Sequence, residues 1–304
     1  MRLSNGHEFT FCCAAGALGF TGDGYWWEQP WRWLGVLRPQ EFTIIVKTLT
    51  RHERKGNYDP WRPWRCVRLI KGGAVNAMGL PNMGIDRWID ECYPTIFARG
   101  YDVIVSIQPT DIEEAGYMAR KLAWLSIKGI EVNLSCPNTK DSYDPVEVIR
   151  AVRANTQHPV IAKLGASGLE DMIRRIDGYV DAYDLINTVP WKIKYPDRPS
   201  PLAPYGLEGG VSGEEIKMEA RNALVLANLI TKKPKITGGG INSAYECRVR
   251  HWLGASAYSL GTVILHAGLC LAPPWRPNKI ARQHTAWLKE QYGCRDERDL
   301  LSQP

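Results

Sequence analysis

The fold is decided by residues 102–135, which read DVIVSIQPTDIEEAGYMARKLAWLSIKGIEVNLS. This stretch begins and ends with short, almost continuously apolar runs, Asp102–Gln108 and Gly129–Ser135. Such runs are typical of strands buried on both faces, as in a parallel sheet covered by helices. Between them, Pro109–Ser126 mixes charged and apolar residues at helical spacing and opens with the cap-like residues Pro109-Thr110-Asp111. We therefore predict a strand–helix–strand unit with parallel strands.

The same alternation recurs along the chain. Further strands are predicted at Thr10–Ala15, Phe42–Thr48, Pro159–Gly165, Tyr183–Val189, Pro234–Gly240 and Ala257–Thr262. Further helices are predicted at Asp144–Thr156, Gly168–Tyr179, Glu214–Thr231 and Asn242–Leu253. Eight strands with alternating helices favour a single (β/α)₈ TIM barrel of the α/β class over residues 1–304, since such barrels need about 250 residues. An open doubly wound sheet is the alternative, because periodicity does not separate the two.

Two segments interrupt this rhythm, residues 49–86 and 190–213. Both are longer than the usual connections of about 2–6 residues. We interpret them as loop excursions that follow strand ends, where barrel enzymes place substrate-binding parts. A third, Trp-rich loop, Tyr25–Trp33, follows the first strand. We interpret its aromatic side chains as surface packing.

Composition narrows the class of protein. No run approaches the roughly 18 apolar residues that a membrane span needs, and Met1–Thr10 lacks a signal sequence, so we expect a cytoplasmic protein that does not bind membranes. Eight cysteines without a Cys-x-x-Cys pair predict reduced thiols and no metal site. The net charge of +6 is concentrated between Arg51 and Lys71. An anionic small substrate explains that charge, so we expect no nucleic-acid partner.

Polar and small residues fall at the ends of the predicted strands. In a barrel these ends meet at one rim, so the residues would converge on one pocket. They are Lys47, Asn133, Ser135, Cys136, Asn138, Lys163, Asn187, Thr188, Gly238-Gly239-Gly240 and Gly261-Thr262.

Each residue type suggests a chemistry and has a plainer alternative. Glycine turns after the seventh and eighth strands can hold a phosphate with backbone N–H groups, or can simply be tight turns. No Gly-x-Gly-x-x-Gly motif is present, which favours a mononucleotide over a dinucleotide. A lysine that ends an apolar strand needs either an anionic cofactor or an internal carboxylate as its partner. Converging asparagines suit a planar heterocycle with alternating N–H and C=O groups, and a thiol near cations can act as a base.

The run Val132-Asn133-Leu134-Ser135-Cys136-Pro137-Asn138-Thr139 resembles the active-site signature of dihydroorotate dehydrogenases, as does Asn76-Ala77-Met78-Gly79-Leu80-Pro81-Asn82. Supporting matches occur in the family's order from Ala14 to Thr262. A cysteine at the position of Cys136 is similar to the soluble class 1 enzymes, whereas class 2 enzymes carry serine there.

The resemblance implies FMN as cofactor and dihydroorotate, or a similar molecule, as substrate. It places FMN against Ala15, Gly16, Lys47, Thr48, Asn133, Lys163, Gly213, Gly239, Gly240, Gly261 and Thr262. It places the substrate against Lys47, Asn76, Ala77, Met78, Gly79, Leu80, Asn133, Asn138, Asn187 and Thr188. By the same resemblance, Cys136 removes the C5 proton, the C6 hydride passes to flavin N5, and the chain forms a homodimer. The electron acceptor is open among fumarate, NAD through a partner subunit, and oxygen.

One motif departs from the family. The first strand ends in Cys13-Ala14-Ala15-Gly16, where the family usually has Asn-Ala-Ser-Gly or similar, which removes a hydroxyl near the flavin. Two alternatives therefore stand beside dihydroorotate oxidation: an FMN oxidoreductase of this family that acts on another cyclic amide or ene, and a non-redox barrel that binds a sugar or nucleotide phosphate.

Overall fold

The structure is a computed structural model that describes residues 1–135 and 144–292. Its strands are β1 (Phe11–Cys13), β2 (Thr43–Ile45), β3 (Val67–Ile70), β4 (Gly73–Asn76), β5 (Val103–Ile107), β6 (Gly129–Asn133), β7 (Val160–Leu164), β8 (Ala182–Leu185), β9 (Val189–Pro190), β10 (Gly210–Gly213), β11 (Lys235–Thr237) and β12 (Ala257–Leu260). The parallel strands β1, β2, β5, β6, β7, β8, β11 and β12 close into a barrel in that order. The predicted (β/α)₈ barrel is confirmed. Seven of its strands lie within a predicted run, and β8 begins at Ala182, one residue before the predicted start at Tyr183.

The helices surround this barrel. They are α1 (Gln29–Trp33), α2 (Ile85–Glu91), α3 (Tyr93–Arg99), α4 (Ile112–Leu122), α5 (Pro145–Ala154), α6 (Leu169–Ile176), α7 (Trp191–Lys194), α8 (Lys217–Ile230), α9 (Ala244–Trp252), α10 (Thr262–Gly268) and α11 (Arg276–Tyr292). Asp111 caps α4, as predicted, by accepting a hydrogen bond from the Glu114 backbone N–H at 2.8 Å. Within the described part of the chain, no helix has the length and apolar character needed to cross a bilayer.

The inside of the barrel has an apolar floor and a polar upper layer. The floor is a separate cluster of buried side chains that pack with Met1, Leu3 and Phe9 from before β1: Cys12, Ile45, Ile104, Ile161, Ala182, Ile236 and Ala257. Side chains two residues apart on a strand point to the same face. Continuing two residues along β5, β7, β8 and β12 gives the buried polar residues Ser106, Lys163, Asp184 and Ser259. Polar groups therefore lie directly beneath the carboxyl-terminal mouth.

The two excursions contain strands that pair with each other. Strands β3 and β4 from the first and β9 and β10 from the second form an antiparallel sheet in the order β3-β4-β10-β9. Asn76 pairs with Gly210, and Gly73 pairs with Gly213. A Cβ atom on Gly73 would lie 2.0 Å from the Ser212 carbonyl oxygen, so glycine is required for this close approach. The pairing holds two segments that are distant in sequence beside the mouth.

Candidate active site

An amide and hydroxyl network joins the ends of β6 and β8. The Asn133 side-chain oxygen accepts hydrogen bonds from the backbone N–H and the hydroxyl of Ser135, at 3.1 and 2.6 Å. The Asn187 amide donates to the same hydroxyl at 2.9 Å. On the other side, the Asn133 amide nitrogen lies 3.5 Å from the Gln108 side-chain oxygen. The structure thus brings the predicted residues Asn133 and Asn187 together, with Ser135 between them.

Lys163 lies between two buried carboxylates. Its Nζ is 3.0 Å from Asp184 Oδ2 and 3.7 Å from Glu131 Oε1. The three side chains come from adjacent strands, because Lys163 on β7 pairs in register with Asp184 on β8, and Glu131 on β6 pairs with Ile161. Burial opposes the charge of Lys163, but Asp184 and Glu131 outweigh it and raise the lysine pKa. The internal carboxylate partner considered from the sequence is therefore present for Lys163.

A hydroxyl relay extends this cluster toward β2. Ser106 donates to Glu131 Oε1 at 2.7 Å, and the hydroxyls of Thr48 and Ser106 are 2.9 Å apart. Burial raises the pKa of Glu131 to about 8, and the neighbouring Asp184 adds to this effect against the pull of Lys163. Thr48 and Lys163, both predicted to bind the cofactor, are thereby connected through side chains that the sequence analysis did not single out.

Lys47 is different. Within residues 1–135 and 144–292, no carboxylate lies within ion-pair distance of its ammonium group. Burial lowers its pKa to about 8, with a small opposing effect from Cys66. Gly16 packs against it, since a Cβ atom on Gly16 would lie 3.1 Å from Lys47 Cγ. The first-strand turn and Lys47 are thus neighbours, and the Lys47 ammonium has no carboxylate partner in the described chain.

The glycine turn after β11 is held by a buried arginine. Arg250 on α9 donates to the carbonyl oxygens of Gly238 and Gly239 and, at 2.8 Å, to the Thr237 hydroxyl. Its charge is paired with Glu246 at 2.9 Å. Gly239 and Gly240 have φ values of +72° and +84°, and their backbone N–H groups donate to no acceptor in the described chain. This leaves two unpaired N–H groups on a turn without side chains, which suits a phosphate.

Two further glycines border the same region. A Cβ atom on Gly240 would lie 3.0 Å from the carbonyl oxygen of Gly213, and one on Gly261 would lie 3.2 Å from Ala14 Cβ. Gly213 therefore lies next to the glycine turn after β11, and Gly261 lies next to the turn after β1. Thr262 follows as the first residue of α10.

The segment 76–80 is fixed by side chains from the first excursion. The Asn57 amide donates to the Ala77 carbonyl, and its backbone N–H donates to the Met78 carbonyl, each at 2.8 Å. Leu80 has a φ of +56°. The other predicted substrate residue in this region, Thr188, lies against β10, because a Cβ atom on Gly210 would be 2.1 Å from its hydroxyl oxygen. Asn76 and Thr188 therefore meet on either side of Gly210.

Two predicted residues, Cys136 and Asn138, lie outside the described residues. Ser135, which immediately precedes Cys136, belongs to the Asn133–Asn187 network. Glu131, Asp184 and Arg250 were not predicted from the sequence. Asp184 lies two residues after the inward-facing Ala182, whereas Glu131 is placed inside the barrel only by the strand register. Two shallow hollows beside α11 are lined by other residues, such as Trp275 and Trp287, and contain none of these side chains.

Comparison with known proteins gives one consistent result. A family model described as dihydroorotate dehydrogenase matches residues 35–276. The chain is 35% identical over 234 residues to a protein of Geotalea daltonii, covering 72% of this chain and 74% of that one. It is 31% identical over 302 residues to a protein of Desulforudis audaxviator, covering 95% and 91%. Both relatives are named dihydroorotate dehydrogenase B (NAD(+)), catalytic subunit.

A solved structure supports the fold. The crystal structure of the Eimeria tenella enzyme DHODH in complex with ferulenol superimposes with a TM-score of 0.68 at 18% identity, covering 93% of this chain and 82% of that one. At this identity the likeness supports the barrel architecture alone. With the family match over most of its length, the chain belongs to the dihydroorotate dehydrogenase family.

Proposed function

We propose that the protein is an FMN-dependent oxidoreductase that oxidises (S)-dihydroorotate to orotate in pyrimidine biosynthesis. The observation that carries this proposal is the Asn133–Ser135–Asn187 network, which presents amides at the barrel mouth directly before Cys136. Amides and hydroxyls in this arrangement match a ring that carries both N–H and C=O groups. The nearby ammonium of Lys47 suits the carboxylate of the substrate.

The residues at the mouth fit FMN. The N–H groups of Gly239 and Gly240, which have no acceptor in the described part of the chain, suit its phosphate, and Lys47 suits the negative charge of a reduced flavin ring. When bound, FMN would accept the hydride that leaves the substrate. The residues proposed to hold it are Ala15, Gly16, Lys47, Thr48, Asn133, Lys163, Gly213, Gly239, Gly240, Gly261 and Thr262.

The chain's own side chains would orient the substrate and take a proton. We propose that Cys136 removes the C5 proton of dihydroorotate, since in sequence it immediately follows Ser135 of the amide network. The residues proposed to hold the ring are Lys47, Asn76, Ala77, Met78, Gly79, Leu80, Asn133, Asn138, Asn187 and Thr188. Asn57 and the β4–β10 pairing would keep the 76–80 segment in place for this contact.

The relatives' names suggest where the electrons go. Because they describe catalytic subunits of NAD-linked enzymes, we infer a separate subunit that passes electrons to NAD, in the cytoplasm. The catalytic chain itself would form a homodimer, as the family resemblance implied. Co-purification of the chain with a second protein, and NAD reduction by that complex alone, would test this assembly against fumarate or oxygen as acceptor.

The decisive experiment is an anaerobic titration of the purified protein, followed at the flavin absorbance. Dihydroorotate should bleach the wild-type flavin. Cys136→Ala should keep the bound FMN but slow bleaching by about 10²–10⁴-fold, the usual contribution of a general base. The matched control is Cys270→Ser at an exposed cysteine, which should bleach like the wild type.

Each other outcome has a clear meaning. Wild-type flavin that is not bleached at saturating dihydroorotate would refute this substrate. Bleaching by a dihydropyrimidine without a carboxylate would support another substrate within the family. A colourless protein with no affinity for FMN would favour the non-redox barrel. Full-rate bleaching in Cys136→Ala would remove the cysteine from its proposed role.

A further inference from the structure

Three charged side chains meet beneath the mouth, and they do not balance. Lys163 is the single cation, and Glu131 and Asp184 both face it at 3.7 and 3.0 Å. All three are buried. The cluster therefore has a net charge of −1 when both carboxylates are ionised, and it is neutral when one of them holds a proton.

Among residues 1–135 and 144–292, no further charged side chain pairs with this cluster. Ser106 on β5 donates to Glu131, and Thr48 contacts Ser106. From β1, the thiol of Cys12 also faces the cluster. Burial, together with Asp184, raises the Cys12 pKa well above its usual value, so the thiol is neutral. From β12, Ser259 contacts Cys12. The rest of the described environment is the apolar floor.

Charge is not needed to fill this layer of the barrel. The layer directly below is built from isoleucine and alanine side chains, and replacing a buried ion pair by apolar residues of similar size is often neutral or stabilising. Stability is therefore a weak reason for three buried charges at this position. Their location, one layer below the proposed flavin site, points to an electrostatic reason.

We infer that Glu131 and Asp184 are positioning residues that hold the Lys163 ammonium and cancel its charge, so that Lys47 alone offers uncompensated positive charge to the reduced flavin. This inference rests on the proposed function. Each carboxylate acts through Lys163 and would lower the reduction potential of a bound flavin, because negative charge near the site would disfavour the anionic reduced form.

The inference predicts an effect that depends on pH. Burial, aided by Asp184, raises the pKa of Glu131 to about 8, so the wild-type cluster changes from neutral to −1 near that pH. In Glu131→Gln, Asp184 alone faces Lys163, and the cluster is neutral on both sides of pH 8. In Asp184→Asn, Glu131 alone faces Lys163, so the cluster cannot become negative at any pH. Each variant keeps its buried lysine paired, which favours folding.

The test is the midpoint potential of the FMN-loaded, full-length protein at pH 6 and at pH 9. At pH 9 both variants should bind reduced flavin, relative to oxidised flavin, at least tenfold more tightly than the wild type does, a rise of about 30 mV for a two-electron couple. At pH 6 the difference should vanish. The control is Asp102→Asn, at a partly exposed carboxylate on the opposite end of the barrel that pairs with Lys128 at 3.1 Å. It should leave both potentials unchanged.

The outcomes separate the inference from the proposed function. Unchanged potentials at pH 9 would overturn the inference, and so would an equal shift at both pH values, which indicates general damage to the site. A wild-type chain that takes up no FMN would refute the proposed function and this inference with it. A flavin-loaded chain with unaltered potentials would refute the inference alone.

Discussion

Lys47 and Lys163 look alike in the sequence and differ in the structure. Each ends an apolar strand run, β2 for Lys47 and β7 for Lys163. Strand β7 lies between β6 and β8, which both present a carboxylate to the barrel interior, Glu131 and Asp184. Strand β2 lies between β1 and β5, which carry the buried Cys12 thiol and Ser106 hydroxyl and no carboxylate. The neighbouring strands, and not the lysine's own strand, therefore decide whether its charge is compensated.

The largest expected effect comes from removing the compensated lysine. Lys163→Met leaves two buried carboxylates without a cation, and breaking a buried pair in this way costs about 3–5 kcal/mol. Urea unfolding at pH 8 should show this loss for Lys163→Met and almost none for Lys47→Met, since Lys47 has no carboxylate to abandon in the described chain. At pH 5 the loss should shrink, because the carboxylates can take up protons. Equal losses for the two lysines would contradict the comparison.

The reverse order is expected for activity. Lys47→Met should lower the rate of dihydroorotate oxidation about 10²–10³-fold, the usual effect of removing one group that stabilises developing negative charge. Because burial lowers the pKa of Lys47 to about 8, wild-type activity should fall as pH rises through that value and the ammonium is lost.

The Lys47→Arg variant tests the source of this pH dependence. Arginine stays protonated, so the falling limb of the profile of kcat/KM against pH should move beyond pH 10 even if the rate is reduced. A limb that stays near pH 8 in Lys47→Arg would assign the titration to another group.

The contrast between the two lysines shows which features of the fold and the site can be predicted from the sequence. All eight barrel strands follow from their apolar runs, because a strand covered on both faces needs apolar residues on both. The partners of Lys163 do not follow so easily. Glu131 and Asp184 sit inside runs that are otherwise apolar, and only the strand register shows that they face the same interior layer as Lys163.

The excursions give a second example. The length of these segments predicts loop excursions, and the structure places four strands in them, β3, β4, β9 and β10. The β4–β10 pairing joins residues more than a hundred positions apart, with Gly73 facing Gly213. Such pairing leaves little local signal, because glycine is usually depleted in strands and here permits the close approach of two backbones. The positions of Cys136 and Asn138 stay predictions.

A smaller effect concerns stability and pH in the absence of flavin. Burial, then Asp184, raises the pKa of Glu131 from 4.5 to about 8. Between these values the folded chain holds a proton that the unfolded chain releases, so stability should fall as pH rises from about 4.5 to 8. Unfolding of Glu131→Gln should show a flatter profile. Glu147→Gln, at an exposed carboxylate that pairs with Arg150, is the control and should keep the wild-type slope.

The smallest effect is expected at the hydroxyl that links β6 and β8. Ser135→Ala removes the acceptor of the Asn187 amide, while Asn133 keeps its hydrogen bond from the Ser135 backbone N–H. The variant loses two side-chain hydrogen bonds, to Asn133 and from Asn187, each worth about 1 kcal/mol, so the KM for dihydroorotate should rise about thirtyfold with little change in kcat. Ser126→Ala, outside the mouth at the end of α4, should leave KM unchanged. If Ser135→Ala lowered the rate of dihydroorotate oxidation as much as Lys47→Met, Ser135 would have to contact the reacting atoms. The site would then no longer divide into Lys47 after β2, which supplies charge, and the side chains after β6 and β8, which orient the substrate.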